Sequence, residues 1–319
     1  MARRVRVHEF GSFSVLKLET FDSDKDLKCA DDQLVVEIHA VGINPVETYI
    51  RSGQYASLPE LPYTPGKDGA GCVYRVGALV TSFKPGDRVW ISGTLSGSYA
   101  EYCLCSCSDV HSLPAHLSFE QGACLGIPYR TAYRALKSLG NAQAGKSVLI
   151  HGATGGVGTA CLQLARMIGL GPIIATTSSV DSKIIQSLKD DGADIVTTHG
   201  NSELGILVDL IVENLASANL GTDLKLLKKG GCVIVVGSRG EVTINPRDLM
   251  RCEGSIRGMV GAGSNEDKIA ADAAIQSGIE SDQLIPRVGT VFTLDEISLA
   301  HDEVIQHTSC KRGKVIVRI

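Results

Sequence analysis

The spacing of apolar residues changes near residue 125, and the change divides the chain. Before it, apolar positions alternate with polar ones or form short runs broken by Gly or Pro. Met1-Ala-Arg-Arg-Val-Arg-Val-His-Glu-Phe10 alternates Val with polar residues, which predicts a strand. Gln33-Leu-Val-Val-Glu-Ile-His-Ala40 and Gly71-Cys-Val-Tyr-Arg-Val76 predict two more, and Lys84-Pro-Gly-Asp87 predicts a turn into Arg88-Val-Trp-Ile91. Many short strands separated by turn residues predict an antiparallel, barrel-like domain. From Pro128-Tyr-Arg-Thr-Ala-Tyr-Arg-Ala-Leu136 the period is helical. Buried-type strands then alternate with helical stretches: Ser147-Val-Leu-Ile150, Pro172-Ile-Ile-Ala175, Val208-Asp-Leu-Ile-Val212 and Cys232-Val-Ile-Val-Val236, with a helix over 159–168. That rhythm predicts a parallel, doubly wound sheet. After 265 another helix precedes a strand pair ending in Lys314-Val-Ile-Val-Arg-Ile319, which is expected to return to the first domain. The chain is therefore read as α/β, with 1–125 and 266–319 forming one domain and 126–265 the other.

The 319-residue length agrees with two domains. With 31 Lys+Arg against 35 Asp+Glu the formal charge is −4, which argues against a dedicated polyanion binder. Aromatics make up 5%, while Gly numbers 35, so tight backbone turns are expected more than a stacking surface for bases. The ten Cys follow no secretory apolar segment, and no run reaches the roughly 18–20 apolar residues of a membrane span. Reduced thiols in a cytoplasmic protein are expected. Cys103, Cys105 and Cys107 have a period of two, which predicts one strand face rather than a tetrahedral metal site.

Ser147-Val-Leu-Ile-His-Gly-Ala-Thr-Gly-Gly-Val-Gly158 follows a strand and opens a helix, as a dinucleotide fingerprint does. Gly155 lets backbone approach a pyrophosphate, Gly158 permits close helix-to-strand packing, and Ala153 replaces the first glycine of the usual pattern. The helix N-terminus offers unpaired N–H groups to phosphates. An NAD site places a carboxylate at the end of the second strand; here Ile173-Ile-Ala-Thr-Thr-Ser-Ser179 has none before Asp181. Hydroxyls tolerate a 2′-phosphate, Lys183 and His199 are supporting cations, and NADPH is the expected cofactor.

Ala40-Val-Gly-Ile-Asn-Pro-Val-Glu-Thr-Tyr-Ile-Arg-Ser-Gly53, Leu61-Pro-Tyr-Thr-Pro-Gly66, Gly126-Ile-Pro-Tyr129, Val233-Ile-Val-Val-Gly-Ser-Arg-Gly240 and Ile244-Asn-Pro-Arg-Asp248 resemble the zeta-crystallin, or NADPH:quinone oxidoreductase, branch of the medium-chain dehydrogenase/reductase superfamily. The resemblance runs from about residue 5 to the C-terminus. It implies a discontinuous chaperonin-10-like (GroES-like) β-barrel catalytic domain enclosing a Rossmann domain. It also implies that the positions holding catalytic zinc in related alcohol dehydrogenases are Asn44, Lys67 and Ile127 here, a set that supplies no thiolate, imidazole or carboxylate. The lobe carrying structural zinc in those enzymes is missing, since Gly86-Asp-Arg-Val89 leads quickly to Ser98-Tyr-Ala-Glu101. No metal is expected.

A zinc-free reductase of electron-poor acceptors remains, and orientation is its main task. The resemblance implies one-electron turnover of ortho-quinones to semiquinones. Asn44, Tyr49 and Tyr55 are the expected catalytic residues: Asn44 as a hydrogen-bond donor to the acceptor oxygen, Tyr49 near the nicotinamide, both tyrosine hydroxyls able to orient a carbonyl. The resemblance places cofactor contacts at Tyr49, Thr154, Gly155, Gly156, Val157, Ser178, His199, Asn219, Val236, Gly237, Ser238, Arg239, Met259, Val260 and Gly261. A competing reading is an NADPH-dependent enone or alkenal reductase, with Tyr55 as proton donor. The branch also implies AU-rich RNA binding, a structural crystallin role, and assembly as a homodimer or homotetramer through an edge strand near 258–261; with the negative charge, RNA binding is expected to be secondary and salt-sensitive.

Overall fold

The computed structural model describes residues 1–198, 205–261, 263–307, 309 and 311–319, and His199 lies outside them. Two compact units are present, Met1–Ile127 with Pro286–Ile319, and Pro128–Ile285. The return to the first unit therefore comes later than the sequence reading placed it. Helix Asn265–Glu280 stays with the second unit because Ile275 and Ile279 are fully buried and Asp272 pairs with Arg130 at 2.5 Å.

The first unit is built on a seven-stranded sheet. Its order is Val288–Thr293, Lys314–Arg318, Gln33–Gly42, Asp68–Val76, Arg88–Ile91, Val110–Ser112, with Tyr102–Ser106 also paired to Gln33–Gly42. Pairs are antiparallel except the first, which is parallel and connected through helix Ile297–Gln306. Val36, Ile38, Val89 and Ile91 lie in its core. The Lys84–Asp87 turn forms as the sequence predicts: Gly86 takes φ +90°, and Asp87 closes it by accepting the Lys84 N–H at 2.9 Å. Cys103 and Cys105 point into this core with Sγ atoms 3.5 Å apart, and neither is in a disulfide. Cys107 leaves the expected strand face, because the strand ends at Ser106 and a short turn, Cys107–Asp109, begins. Hydrogen bonding to Cys103 and burial push the Cys105 thiol well above its ordinary range, which suits packing rather than thiolate chemistry.

In the second unit the six strands among the described residues are all parallel, in the spatial order Ile195–Thr198, Ile173–Thr177, Val148–Ile150, Val208–Glu213, Leu227–Val235, Ser255–Gly258. Numbered along the chain this is 3-2-1-4-5-6, the doubly wound order that opens a crevice beyond the carboxyl ends of the first and fourth strands. Strands Val148–Ile150 and Ile173–Thr177 are buried along their whole length, the first wholly apolar and the second ending in two threonines. Among the described residues no helix is long and apolar enough to cross a membrane.

Candidate active site

In the first unit, helix Pro45–Arg51 starts just after strand Gln33–Gly42. Pro45 suits a first helical position, and Glu47 reaches back to accept the Asn44 N–H at 2.8 Å. The Asn44 amide donates to Asp68 Oδ2 at 2.9 Å and to Glu47 Oε1 at 3.3 Å, while its Oδ1 accepts from Lys314 Nζ. Lys314 Nζ also donates to Asp68 Oδ2 at 2.7 Å, and Asp68 Oδ1 accepts the Ile127 N–H at the same distance. Lys67 gives its backbone N–H to Glu47 Oε1 at 3.2 Å and turns its Nζ toward Thr94 O. Positions 44, 67 and 127 therefore converge, but on two buried carboxyl groups and a buried ammonium. Gly126 permits this, since a Cβ there would lie 2.2 Å from Asp68 Oδ1. No zinc site fits: two of the three side chains are non-ligating, and the third, the Lys67 ammonium, has no lone pair.

The cluster continues outward from Glu47. Tyr99 OH donates to Glu47 Oε2 at 2.5 Å, and His301 Nε2 lies 3.2 Å from the Tyr99 oxygen. Burial and the charge of Asp68 push the Glu47 carboxyl up, although four N–H or O–H donors aimed at its oxygens oppose that rise. Burial and then the Glu47 charge push the Tyr99 phenol well above its usual value. Burial, with the Arg51 charge behind it, pushes His301 down to about 3. Asn44 is thus corrected from an outward donor to a positioning residue, because both its amide N–H groups are spent on carboxylates. Tyr49, on the helix, and Tyr55, beyond Gly53 at φ +78°, remain half-buried.

In the second unit, the glycine-rich turn connects Val148–Ile150 to helix Gly156–Ile168. Gly152 takes φ +61°, and Gly155 is the N-cap. A Cβ on Gly158 would fall 2.2 Å from Gly152 O and 2.6 Å from Ala153 Cα, so glycine is what brings the helix onto the turn. Thr154, Gly155, Gly156 and Val157 occupy the turn and first helical residues, all partly exposed. Ser178 stands exposed at the end of the second strand; Asp181, the first carboxylate after it, accepts the Lys183 N–H at 2.8 Å as a helix cap. The Lys183 side chain is exposed.

The remaining predicted contacts gather at the same sheet edge. Val236 and Gly237 donate their N–H groups to Glu213 O, the Arg239 N–H reaches Ser217 Oγ at 3.3 Å, and Ser238 Oγ donates to Gly240 O at 2.8 Å. Met259 N–H bonds Val235 O, and Arg134 holds the carbonyls of Val260 and Gly261 at 3.2 and 3.4 Å. Asn219 sits deeper than expected, 7% exposed on helix Ala216–Asp223, where its amide donates to Glu213 Oε1.

A buried cluster beneath the turn escaped the sequence reading. His151 directly follows the first strand; its Nε2 lies 2.8 Å from Asp223 Oδ1 and 3.7 Å from Glu213 Oε2, and its Nδ1 lies 3.0 Å from Thr176 Oγ1. Burial pushes Glu213 and Asp223 each up to about 7 and His151 down. The available signal was a carboxylate closing the otherwise apolar run 210–213 beside a His directly after the neighbouring strand.

The chain matches the family model "Alcohol dehydrogenase GroES-like domain" over residues 30–115 and "Zinc-binding dehydrogenase" over residues 156–276. It is 46% identical to human quinone oxidoreductase over 99% of this chain and 98% of that protein. Among solved structures, Escherichia coli quinone oxidoreductase complexed with NADPH superposes with a TM-score of 0.83 at 27% identity, covering 100% of both chains. A mycobacterial protein complexed with NADPH reaches 0.86 at 26% identity, again covering 100% of both. The chain belongs to the quinone oxidoreductase branch of the medium-chain dehydrogenase/reductase superfamily.

Proposed function

We propose that this chain is a zinc-independent, NADPH-dependent quinone reductase. The observation that carries the reading is the group at positions 44, 67 and 127, where a fixed Lys314–Asp68–Asn44 cluster stands in place of a zinc ligand set. Without a Lewis acid, alcohol oxidation loses its means of activating the hydroxyl, whereas a quinone is electron-poor enough to need orientation above all. The human relative's name and the NADPH bound in the two solved neighbours support the same acceptor class and cofactor.

NADPH supplies the reducing equivalents. The turn at 154–157 offers helix-terminal N–H groups to its pyrophosphate, with Gly237, Ser238 and Arg239, and Met259, Val260 and Gly261, at the neighbouring strand ends. Ser178 and Lys183 receive the 2′-phosphate, an assignment supported by the lack of a carboxylate between the end of the second strand at Thr177 and Asp181. Tyr49 and Tyr55 orient the quinone carbonyls, and the Asn44 cluster holds the helix that carries Tyr49. The resemblance extends the reading to ortho-quinones reduced by one electron each, two quinones per NADPH, with two semiquinones and one proton released. Nine unpaired thiols among the described residues support a reducing, cytoplasmic setting. The open edge of strand Ser255–Gly258 supports a homodimer or homotetramer.

Purified protein is expected to oxidise NADPH with 9,10-phenanthrenequinone or 1,2-naphthoquinone, to do so poorly with NADH, and to give a semiquinone signal in electron paramagnetic resonance. Preference for an α,β-unsaturated aldehyde over either quinone would refute the reading in favour of double-bond reduction.

A further inference from the structure

The cluster under the glycine-rich turn has a geometry that two ionised carboxylates do not satisfy. Glu213 and Asp223 are both 0% exposed, and one ligating atom from each lies within 4.8 Å of the other and of the His151 ring. Glu213 Oε1 accepts the Leu215 N–H and the Asn219 amide, and Asp223 Oδ1 meets His151 Nε2. The two oxygens left over, Glu213 Oε2 and Asp223 Oδ2, are buried and make no hydrogen bond, the first lying 3.7 Å from His151 Nε2. Unpaired buried carboxylate oxygens are costly, and adjacent carboxylates seldom both ionise. A single hydrogen held between the two carboxyl groups satisfies both.

We propose that Glu213 and Asp223 share one proton, and that this proton keeps His151, and with it the glycine-rich turn, in the form that binds the dinucleotide. The inference rests on the NADPH reading above. Glu213 is the acid and Asp223 the carboxylate, which accepts from His151 Nε2–H; His151 Nδ1 then accepts from the Thr176 hydroxyl. The charge of the cluster is set by His151 just after the first strand, Glu213 on the fourth and Asp223 on the following helix; the second strand contributes the Thr176 hydroxyl and the helix the Asn219 amide. The link to the turn is short. Gly152 follows His151 directly, its carbonyl accepts the Gly155 N–H at 3.2 Å, and Gly158 packs against that same carbonyl. Losing the proton leaves two negative charges in a space closed to water, and the His151 ring, 2.8 Å from Asp223 Oδ1 and 3.7 Å from Glu213 Oε2, lies directly against the added charge. NADPH affinity therefore falls as pH rises through neutrality, where burial has raised both carboxyl groups.

Glu213→Gln keeps a hydrogen pointing at Asp223 Oδ2 at every pH. The NADPH dissociation constant is measured from about pH 6 to about pH 9 for both proteins; a one-unit difference in proton affinity between free and bound forms gives about a tenfold weakening in the wild type, against a profile flat to about twofold in Glu213→Gln. Titration of the 2′-phosphate is common to both proteins and cancels. Infrared spectra of the two ligand-free proteins supply a second readout: their difference carries a protonated carboxyl band near neutral pH, lost in Glu213→Gln, while Glu47 contributes equally to both and so cancels. An equal pH slope in both proteins, loss of binding in a normally folded Glu213→Gln, no protonated carboxyl band in that difference, or a stoichiometric divalent metal by elemental analysis each overturns the proposal. Failure of the wild type to bind NADPH at any pH refutes the cofactor reading instead, and the infrared band, read without ligand, tells the two failures apart.

Discussion

Lys314 is the cation around which the first-unit cluster is organised, and replacing it tests that organisation. Lys314→Met removes the ammonium but keeps most of the stem volume. It leaves Asp68, 0% exposed, without the 2.7 Å partner that balances its charge, and leaves Asn44 Oδ1 without its donor. Removing one member of a buried ion pair costs on the order of 3–5 kcal/mol, because the survivor is neither solvated nor compensated. For a protein of this size each kcal/mol shifts the midpoint by roughly 2–4 °C, so a fall on the order of 10 °C is expected. Asp68→Asn in the same background removes the stranded charge while its amide oxygen still accepts the Ile127 N–H, so the double variant is expected to recover more than half of the loss. Thermal melts followed by circular dichroism on the wild type, both single variants and the double variant complete the cycle. A Lys314→Met protein within about 1 kcal/mol of wild type, or a double variant less stable than both singles, would show that the ammonium does not balance Asp68.

Other expectations follow from single contacts. Gly158→Ala sets a Cβ 2.2 Å from Gly152 O, and since backbone must move to admit it, NADPH affinity by fluorescence titration is expected to fall at least about tenfold. An unchanged affinity would remove the turn from the cofactor site. His301, held near 3, stays neutral in the folded chain while the unfolded chain protonates near 6.5. Between those values the unfolded state binds the extra proton, so stability is lost as pH falls, by a few kcal/mol in total at most. His301→Gln should flatten that part of a urea-midpoint profile relative to wild type, and an identical slope would contradict the neutral, buried ring. Tyr49→Ala and Tyr55→Ala are expected to raise the quinone KM severalfold with little change in the NADPH KM; equal effects on both would assign the rings to general packing.

What could be read from the sequence was what chain neighbours decide among themselves. The 147–158 turn was legible because strand, glycines and helix are contiguous, and Gly158 plays the packing part its spacing foretold. The parallel, doubly wound sheet followed from the alternation of apolar strands and helices, although Ile195–Thr198, only partly buried, gave no apolar run and passed unnoticed. The first-unit cluster was illegible because Lys314 and Asn44 are 270 positions apart, and nothing local distinguishes that lysine from a solvent-facing one. Asn44 was misjudged for the same reason: its partners arrive from Asp68 and the last strand, and once they do its amide has nothing left to donate. Cys107 was misplaced by extrapolating a period past a strand end that Ser106 sets.

Steady-state NADPH oxidation with 9,10-phenanthrenequinone, before and after exhaustive dialysis against a chelator, measures whether this chain reduces quinones with NADPH and without zinc. An unchanged rate is expected, with NADPH preferred to NADH. Loss of activity on dialysis that zinc restores, or turnover with alcohols in place of quinones, would contradict zinc-independent quinone reduction.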